Sequence, residues 1–151
     1  MRRASLAVLL VAMLASCGRG PVAPAPLDTR NESCAWCRMS VSDPRFAAQL
    51  VAPREEPKFF DDIGCLRDHL AATKEVPRGA VAYVVDHRSR TWVPAGAAVY
   101  TEVASLETPM GSHLIAHANE TSRTQDPDAR TGKPLTAANV FGPAGVPRSE
   151  P

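Results

Sequence analysis

Apolar and polar positions alternate in short runs along the middle of the chain, punctuated by proline, glycine and aspartate. Phe46-Ala47-Ala48-Gln49-Leu50-Val51 follows the turn signal Asp43-Pro44 and predicts a strand. The charged turn from Pro53 to Pro57 leads into Lys58-Phe59-Phe60, the returning strand of a hairpin. Asp61 or Asp62 then caps a helix over about Ile63 to Thr73. Ile63, Leu66 and Leu70 share one face of that helix, a spacing suited to burial against the hairpin. Ala80 to Val85 is the clearest strand. Asp86 to Arg90 turns, and Thr91-Trp92-Val93 pairs back or extends the sheet.

The second half repeats this order more loosely. Ala97 to Val103 predicts a short strand or turn segment, and Leu114-Ile115-Ala116 a strand. Asn119-Glu120-Thr121 opens a helix through about Arg130, against whose continuation Pro127 stands. Pro134 to Phe141 is a weak final element, and residues 142–151 read as a disordered tail. The expected class is α+β: two small β-β-α-β modules, the second degenerate, over residues 32–141.

The chain ahead of these modules has a different character. Arg2 and Arg3 precede an apolar run from Leu6 to Leu14, too short to span a bilayer as a stable anchor. It ends in Leu14-Ala15-Ser16-Cys17, which reads as a lipobox, with residues 1–16 a lipoprotein signal and Cys17 diacylated after cleavage. The plainer alternative is a secretory signal cut near Ala15, leaving Cys17 a free thiol. An acylated cysteine carrying more than one chain anchors stably. Residues 17–31, with Pro21, Pro24 and Pro26, then form an extended tether.

Cleavage before Cys17 removes Arg2 and Arg3 from the 17 basic residues, leaving 15 against 16 acidic ones. That balance supplies no basic face for a nucleic-acid partner. No second apolar stretch approaches membrane-spanning length.

With Cys17 lipidated, Cys34, Cys37 and Cys65 remain, an odd number that leaves at least one thiol unpaired. A Cys34–Cys37 or Cys34–Cys65 disulfide competes with thiols kept for a metal. Cys34-Ala35-Trp36-Cys37-Arg38-Met39 gathers two thiols and a thioether, soft donors that together favour Cu(I). Zinc gains little from a methionine, so Met39 is the informative residue. In an extended segment Cys37 and Met39 would point to one side, with Arg38 facing away.

Thr108-Pro109-Met110-Gly111 suits a tight turn that presents Met110 as a third sulfur donor. His113 is close enough to reach the same ion, though a histidine near a strand start is commonly solvated or hydrogen-bonded. Cys34 is open to three roles: ligand, gate, or disulfide partner of Cys37. Cys65 and His69 lie on one face of the expected helix, where packing explains Cys65 better than a second metal site. His87 falls in a polar turn and reads as solvated. Asp61-Asp62 is explained by helix capping.

The chain resembles the NosL family of nitrous oxide reductase accessory lipoproteins. The resemblance rests on the lipobox at Cys17, on Cys34 to Met39, on Phe59-Phe60-Asp61-Asp62-Ile63-Gly64-Cys65, and on Thr108 to Gly111. Val84-Val85-Asp86 followed by Thr91-Trp92-Val93 is similar to the family's central strand-turn-strand. Arg38 stands where the family usually has glycine, Leu66 where methionine is common, and His117 where phenylalanine is common. The resemblance implies a Cu(I) chaperone supplying nitrous oxide reductase through a membrane ABC-type accessory complex. It also implies a lipid-anchored place on the periplasmic face of a bacterial membrane, the outer in preference to the inner. The competing function is a thiol-disulfide oxidoreductase using Cys34 and Cys37, but the strand-to-helix setting of a thioredoxin-like site is missing. No nucleophile–base–orienter set is present, so the expectation is a carrier, not an enzyme.

Overall fold

The computed structural model describes residues 22–143 and 145–147, so the expected signal at 1–16 and the lipobox cysteine Cys17 lie outside the described residues. The first apolar run folds as β1 (Ala48–Val51) and becomes the centre of a sheet. It pairs antiparallel with β2 (Lys58–Phe60), Ala48 opposite Phe60, and with β3 (Val81–Val85), Ala48 opposite Val84. Helix α1 (Ile63–Ala72) carries the chain from β2 over to β3 on the far side of β1. β4 (Trp92–Pro94) adds to the outer edge of β3, giving the order β2-β1-β3-β4.

The second half builds the same unit. β5 (Val99–Glu102) is central, β6 (Leu114–His117) flanks one side, and β7 (Lys133–Leu135) the other. Both modules therefore place their first strand in the middle and their post-helical strand opposite the second. The expected pair of β-β-α-β modules is present, and the second is indeed reduced. The helix foreseen from Asn119 to Arg130 divides into α2 (Glu120–Gln125) and a 3₁₀ turn at Pro127–Ala129. Proline lacks the N–H and crowds the preceding turn, so the helix stops at Asp126. A short α3 (Ala137–Phe141) closes the described chain.

Every residue of β1 and β3 is buried, a pattern proper to strands covered on both faces. On one face Leu50, Val84 and Phe60 join the main core with Ile63, Cys65 and Leu66 of α1. On the other, Val51, Val81 and Tyr83 are covered by Val22 and Trp92. The chain before β1 thus belongs to the fold. Gln49 is fully buried, and its amide both accepts from Ala25 N–H at 2.8 Å and donates to the Ala25 carbonyl at 3.1 Å. The Tyr83 hydroxyl donates to the Val22 carbonyl. Residues expected to be free tether are held here, because a buried amide and phenol need partners. Within the stretch expected as a disordered tail, Val146 is buried and the Pro147 carbonyl accepts from Ala82 N–H at 3.3 Å.

Asp86, just after β3, ties the modules together. It is 1 % exposed, and its carboxylate accepts from the N–H groups of Arg88, Ser89 and Ala118. Burial alone would raise its carboxyl; the N–H groups of Ala118 and Ser89 outweigh that and hold it down to about 2.

Candidate metal centre

The cysteine-bearing loop is a closed turn. A bridge between Ser33 and Ser40 draws its ends together, and Cys34 N–H donates to the Met39 carbonyl at 2.7 Å. Ala35 N–H donates to the Phe59 carbonyl at 2.8 Å, which fastens the loop to β2. Arg38 N–H reaches back to the Cys34 carbonyl, and Arg38 has φ +69°, in the left-handed region. The expected extended run from Cys37 to Met39 is therefore corrected to a tight bend, and strand alternation does not set the two side chains on one side. Glycine would enter that region without the Cβ clash that Arg38 meets. The outcome of the bend is graded exposure: Cys34 is sealed in, Cys37 is half-buried, and Met39 is 53 % exposed.

Asp61 and Asp62 stand side by side at the entry to α1 and serve two different loops. Asp62 Oδ1 accepts from Gly64 N–H at 2.7 Å, the helix cap foreseen from the sequence. Its other oxygen accepts from the Thr108 hydroxyl at 2.7 Å and from Met110 N–H at 3.0 Å. Asp61 is equally buried, but both its oxygens lie 3.4 Å from Cys37 Sγ, whose S–H donates to them. Capping explains Asp62; Asp61 belongs to the thiols.

Cys65, in the first turn of α1, completes the group. Donor atoms of Cys34, Cys37, Asp61 and Cys65 all lie within 4.8 Å of one another, and the three thiols are free. Burial pushes the Cys37 thiol up to about 11, helped by the neighbouring Cys34 and Asp61. Burial, then Asp61, pushes Cys65 up well beyond the ordinary thiol range. Both thiols thus keep their protons until a metal replaces them. The donor set fits a thiophilic ion. Three sulfurs and a carboxylate at this spacing would also suit tetrahedral zinc, so selectivity for copper has to come from thioethers.

The second sulfur-bearing loop forms as foreseen. Gly111 N–H donates to the Thr108 carbonyl at 3.0 Å, and Gly111 has φ +67°. The loop passes so close to α1 that a Cβ on Gly64 would stand 2.8 Å from the Ser112 Cβ. Only glycine at position 64 admits that approach. Met110 is left 46 % exposed. Trp36, Met39 and Met110 are the exposed large hydrophobic side chains among the described residues. His113 Nδ1 donates to the Leu106 carbonyl at 2.8 Å, which leaves Nε2 outside that bond. His69, four residues after Cys65, packs its ring against Phe60 and Trp36 and stands outside the thiol group.

A further expectation is overturned. His87 is not solvated: it is 3 % exposed, because the turn after β3 folds against the second module. Its N–H donates to the Ala116 carbonyl at 2.8 Å and its ring lies 5.6 Å from that of Phe46. His87, His117 and Asp126 form a second buried group. Sequence reading missed it because its members come from a turn, a strand end and a helix end, with no common motif.

A NosL family model matches residues 24–140. No curated protein and no solved structure matches the chain.

Proposed function

The chain belongs to the NosL family, a family of copper-binding accessory proteins, and we propose that it carries Cu(I) as cargo for the maturation of nitrous oxide reductase. The ligands are the Cys37 thiolate with the Met39 and Met110 thioethers; Cys34 and His113 are auxiliary donors at the same place. The observation that carries this reading is the shared Asp61-Asp62 anchor, which binds Cys37 on one side and the Met110 backbone on the other. Two loops about seventy residues apart in sequence are thereby tied to neighbouring residues.

The cargo reading follows from exposure. A carrier must surrender its ion, so outer ligands must be replaceable one at a time by a partner's donors. Met39 and Met110 at half exposure meet that need, and Cys37 belongs to the group that holds the sealed thiols. Copper enters by displacing the Cys37 proton. The protein then hands it on to nitrous oxide reductase through a membrane ABC-type complex, while diacylated Cys17 holds it on the periplasmic face, of the outer membrane in preference to the inner. Among the described residues no helix is long and apolar enough to cross a membrane.

The redox alternative is disfavoured by the thiols themselves. Dithiol oxidoreductases depend on a lowered thiol pKa, commonly at a helix N-terminus. Here Cys37 is raised and sits in a closed turn. We therefore read the protein as a carrier, not an enzyme. A competition titration of the reduced protein tests this: the sulfur site should bind one Cu(I) tightly and Zn(II) weakly, and equal affinity of that site for the two ions would overturn it.

A further inference from the structure

The buried group of His87, His117 and Asp126 shares no residue with the copper site. His87 Nδ1 and His117 Nε2 approach the same oxygen of Asp126, Oδ2, at 2.8 and 2.9 Å. The two imidazoles are 3 % and 0 % exposed and the carboxylate 3 %. Asp126 Oδ1 is held separately by Asp128 N–H at 3.0 Å, which fixes the carboxylate with Oδ2 aimed between the rings. The rings meet edge to face, with centroids 6.3 Å apart.

Two imidazoles on a single carboxylate oxygen make a poor closed hydrogen-bond set. Each ring can donate one N–H to Asp126, and its remaining nitrogen, Nε2 of His87 or Nδ1 of His117, then lies buried without a partner. What the group does supply is convergence: one donor atom each from His87, His117 and Asp126 lies within 4.8 Å of the others, in a buried setting. We propose that His87, His117 and Asp126 form a binding site for a divalent transition-metal ion of the zinc class. Two neutral imidazoles and a carboxylate are a common three-ligand set for such an ion, with a fourth position left for water.

Two of the three donor–donor spacings are close to what the ion requires, and the third, between the two ring nitrogens, is no more than 4.8 Å. Tetrahedral bonds of about 2.0–2.1 Å set donor atoms about 3.3 Å apart. The observed spacings of 2.8 and 2.9 Å widen to that value by a shift of a few tenths of an ångström. Binding moves the ring protons: His87 Nδ1 and His117 Nε2 give up theirs and bond the metal through their lone pairs, while the opposite nitrogens take up the N–H and then require an acceptor, which water entering with the ion supplies. Asp126 is ionised before and after, so no net proton need leave. No residue of α2 is buried, so an ion reaches the site by displacement of this lightly held segment just ahead of Asp126. The donors contain no sulfur, which separates the site from the soft cluster at Cys34, Cys37 and Cys65.

Long-range proton–nitrogen NMR of the histidine rings in the reduced, full-length protein tests the site during a zinc titration. The facing nitrogens of His87 and His117 should move together to metal-bound positions and saturate with one zinc at their own site, apart from any zinc taken up at the thiols, while the rings of His69 and His113 stay in place. His117→Phe and Asp126→Asn, which preserve shape, should each abolish the shift of the His87 ring. Zinc taken up only at the thiols, with the His87 and His117 signals unmoved, overturns the proposal, as does zinc binding at His87 that survives both variants. The wild-type spectrum decides the matter even if a variant fails to fold.

Discussion

Met110 donates its backbone N–H to Asp62 Oδ2 at 3.0 Å, one residue from the carboxylate that receives the Cys37 thiol. The proposed copper site is built on that adjacency. It makes the helix entry at Asp61-Asp62 the point where two distant sulfur-bearing loops are fixed, and where folding and metal binding share a residue.

Asp62→Ala should therefore affect both. It removes the α1 cap, worth about 1 kcal/mol, and strips partners from the Thr108 hydroxyl and Met110 N–H, at about 1 kcal/mol or more each. Denaturant unfolding should show a loss of about 3 kcal/mol, and Cu(I) competition a weaker affinity than wild type. Unchanged copper affinity in a folded Asp62→Ala protein would separate the Met110 loop from the site.

Copper affinity should depend steeply on pH. The Cys37 thiol holds its proton up to about 11, so at lower pH Cu(I) must displace it. Apparent affinity should rise about tenfold per pH unit for each proton displaced, flattening as pH nears the thiol's own value. The metal-free protein should behave oppositely. Its raised thiol contributes stability that is complete below the ordinary value of 9.0 and is lost as pH rises through about 11. Affinities measured from about pH 6 to 8 in competition with a chelator of known pH dependence check the slope; a flat profile would mean no thiol proton is displaced.

Arg38 offers a test of the loop's backbone. A non-glycine residue at φ +69° costs about 1–2 kcal/mol, while glycine costs about 0.5–1 kcal/mol in unfolded-state entropy. Arg38→Gly should leave stability unchanged or raise it by up to about 1.5 kcal/mol, and Arg38→Val should lower it. Thermal unfolding of the two variants distinguishes a strained bend from a relaxed one.

Much of the fold was legible because hydrophobic period and turn residues agree locally. Phe46 to Val51, Lys58 to Phe60 and Ala80 to Val85 gave strands close to those observed, and Asp62 capped its helix as its position suggested. The looser second copy was visible too, down to the break at Pro127. What stayed hidden was long-range. Nothing local marks Gln49 as the partner of Ala25, so the described tether looked free. Asp61 and Asp62 are adjacent and identical, yet one caps a helix and the other meets a thiol; only the tertiary approach of Cys37 separates them. Cys65 looked like packing because it is packing: it is 2 % exposed and still faces two other thiols. His87 looked solvated because polar turns usually are, and the module that covers it lies elsewhere in the chain.

Asp86 should prove a stability residue joining the modules. Its carboxyl is held at about 2 against an ordinary 3.8, a difference worth about 2 kcal/mol. Because the folded value is lowered, that stability is complete above about 3.8 and is lost as pH falls through about 2. Asp86→Asn should cost about 2 kcal/mol at neutral pH, and much less near pH 2, in urea unfolding. An equal cost at both would assign the effect to shape and not to charge.

The most direct test of the copper site is X-ray absorption of the Cu(I)-loaded, reduced protein, compared with its Met39→Ile and Met110→Ile variants. Both side chains are about half exposed, so each substitution should leave stability within about 0.5 kcal/mol of wild type. The account predicts a sulfur-dominated first shell that loses one long thioether sulfur in each variant, with a matching fall in affinity. A first shell identical in all three proteins, made only of thiolates, would contradict it.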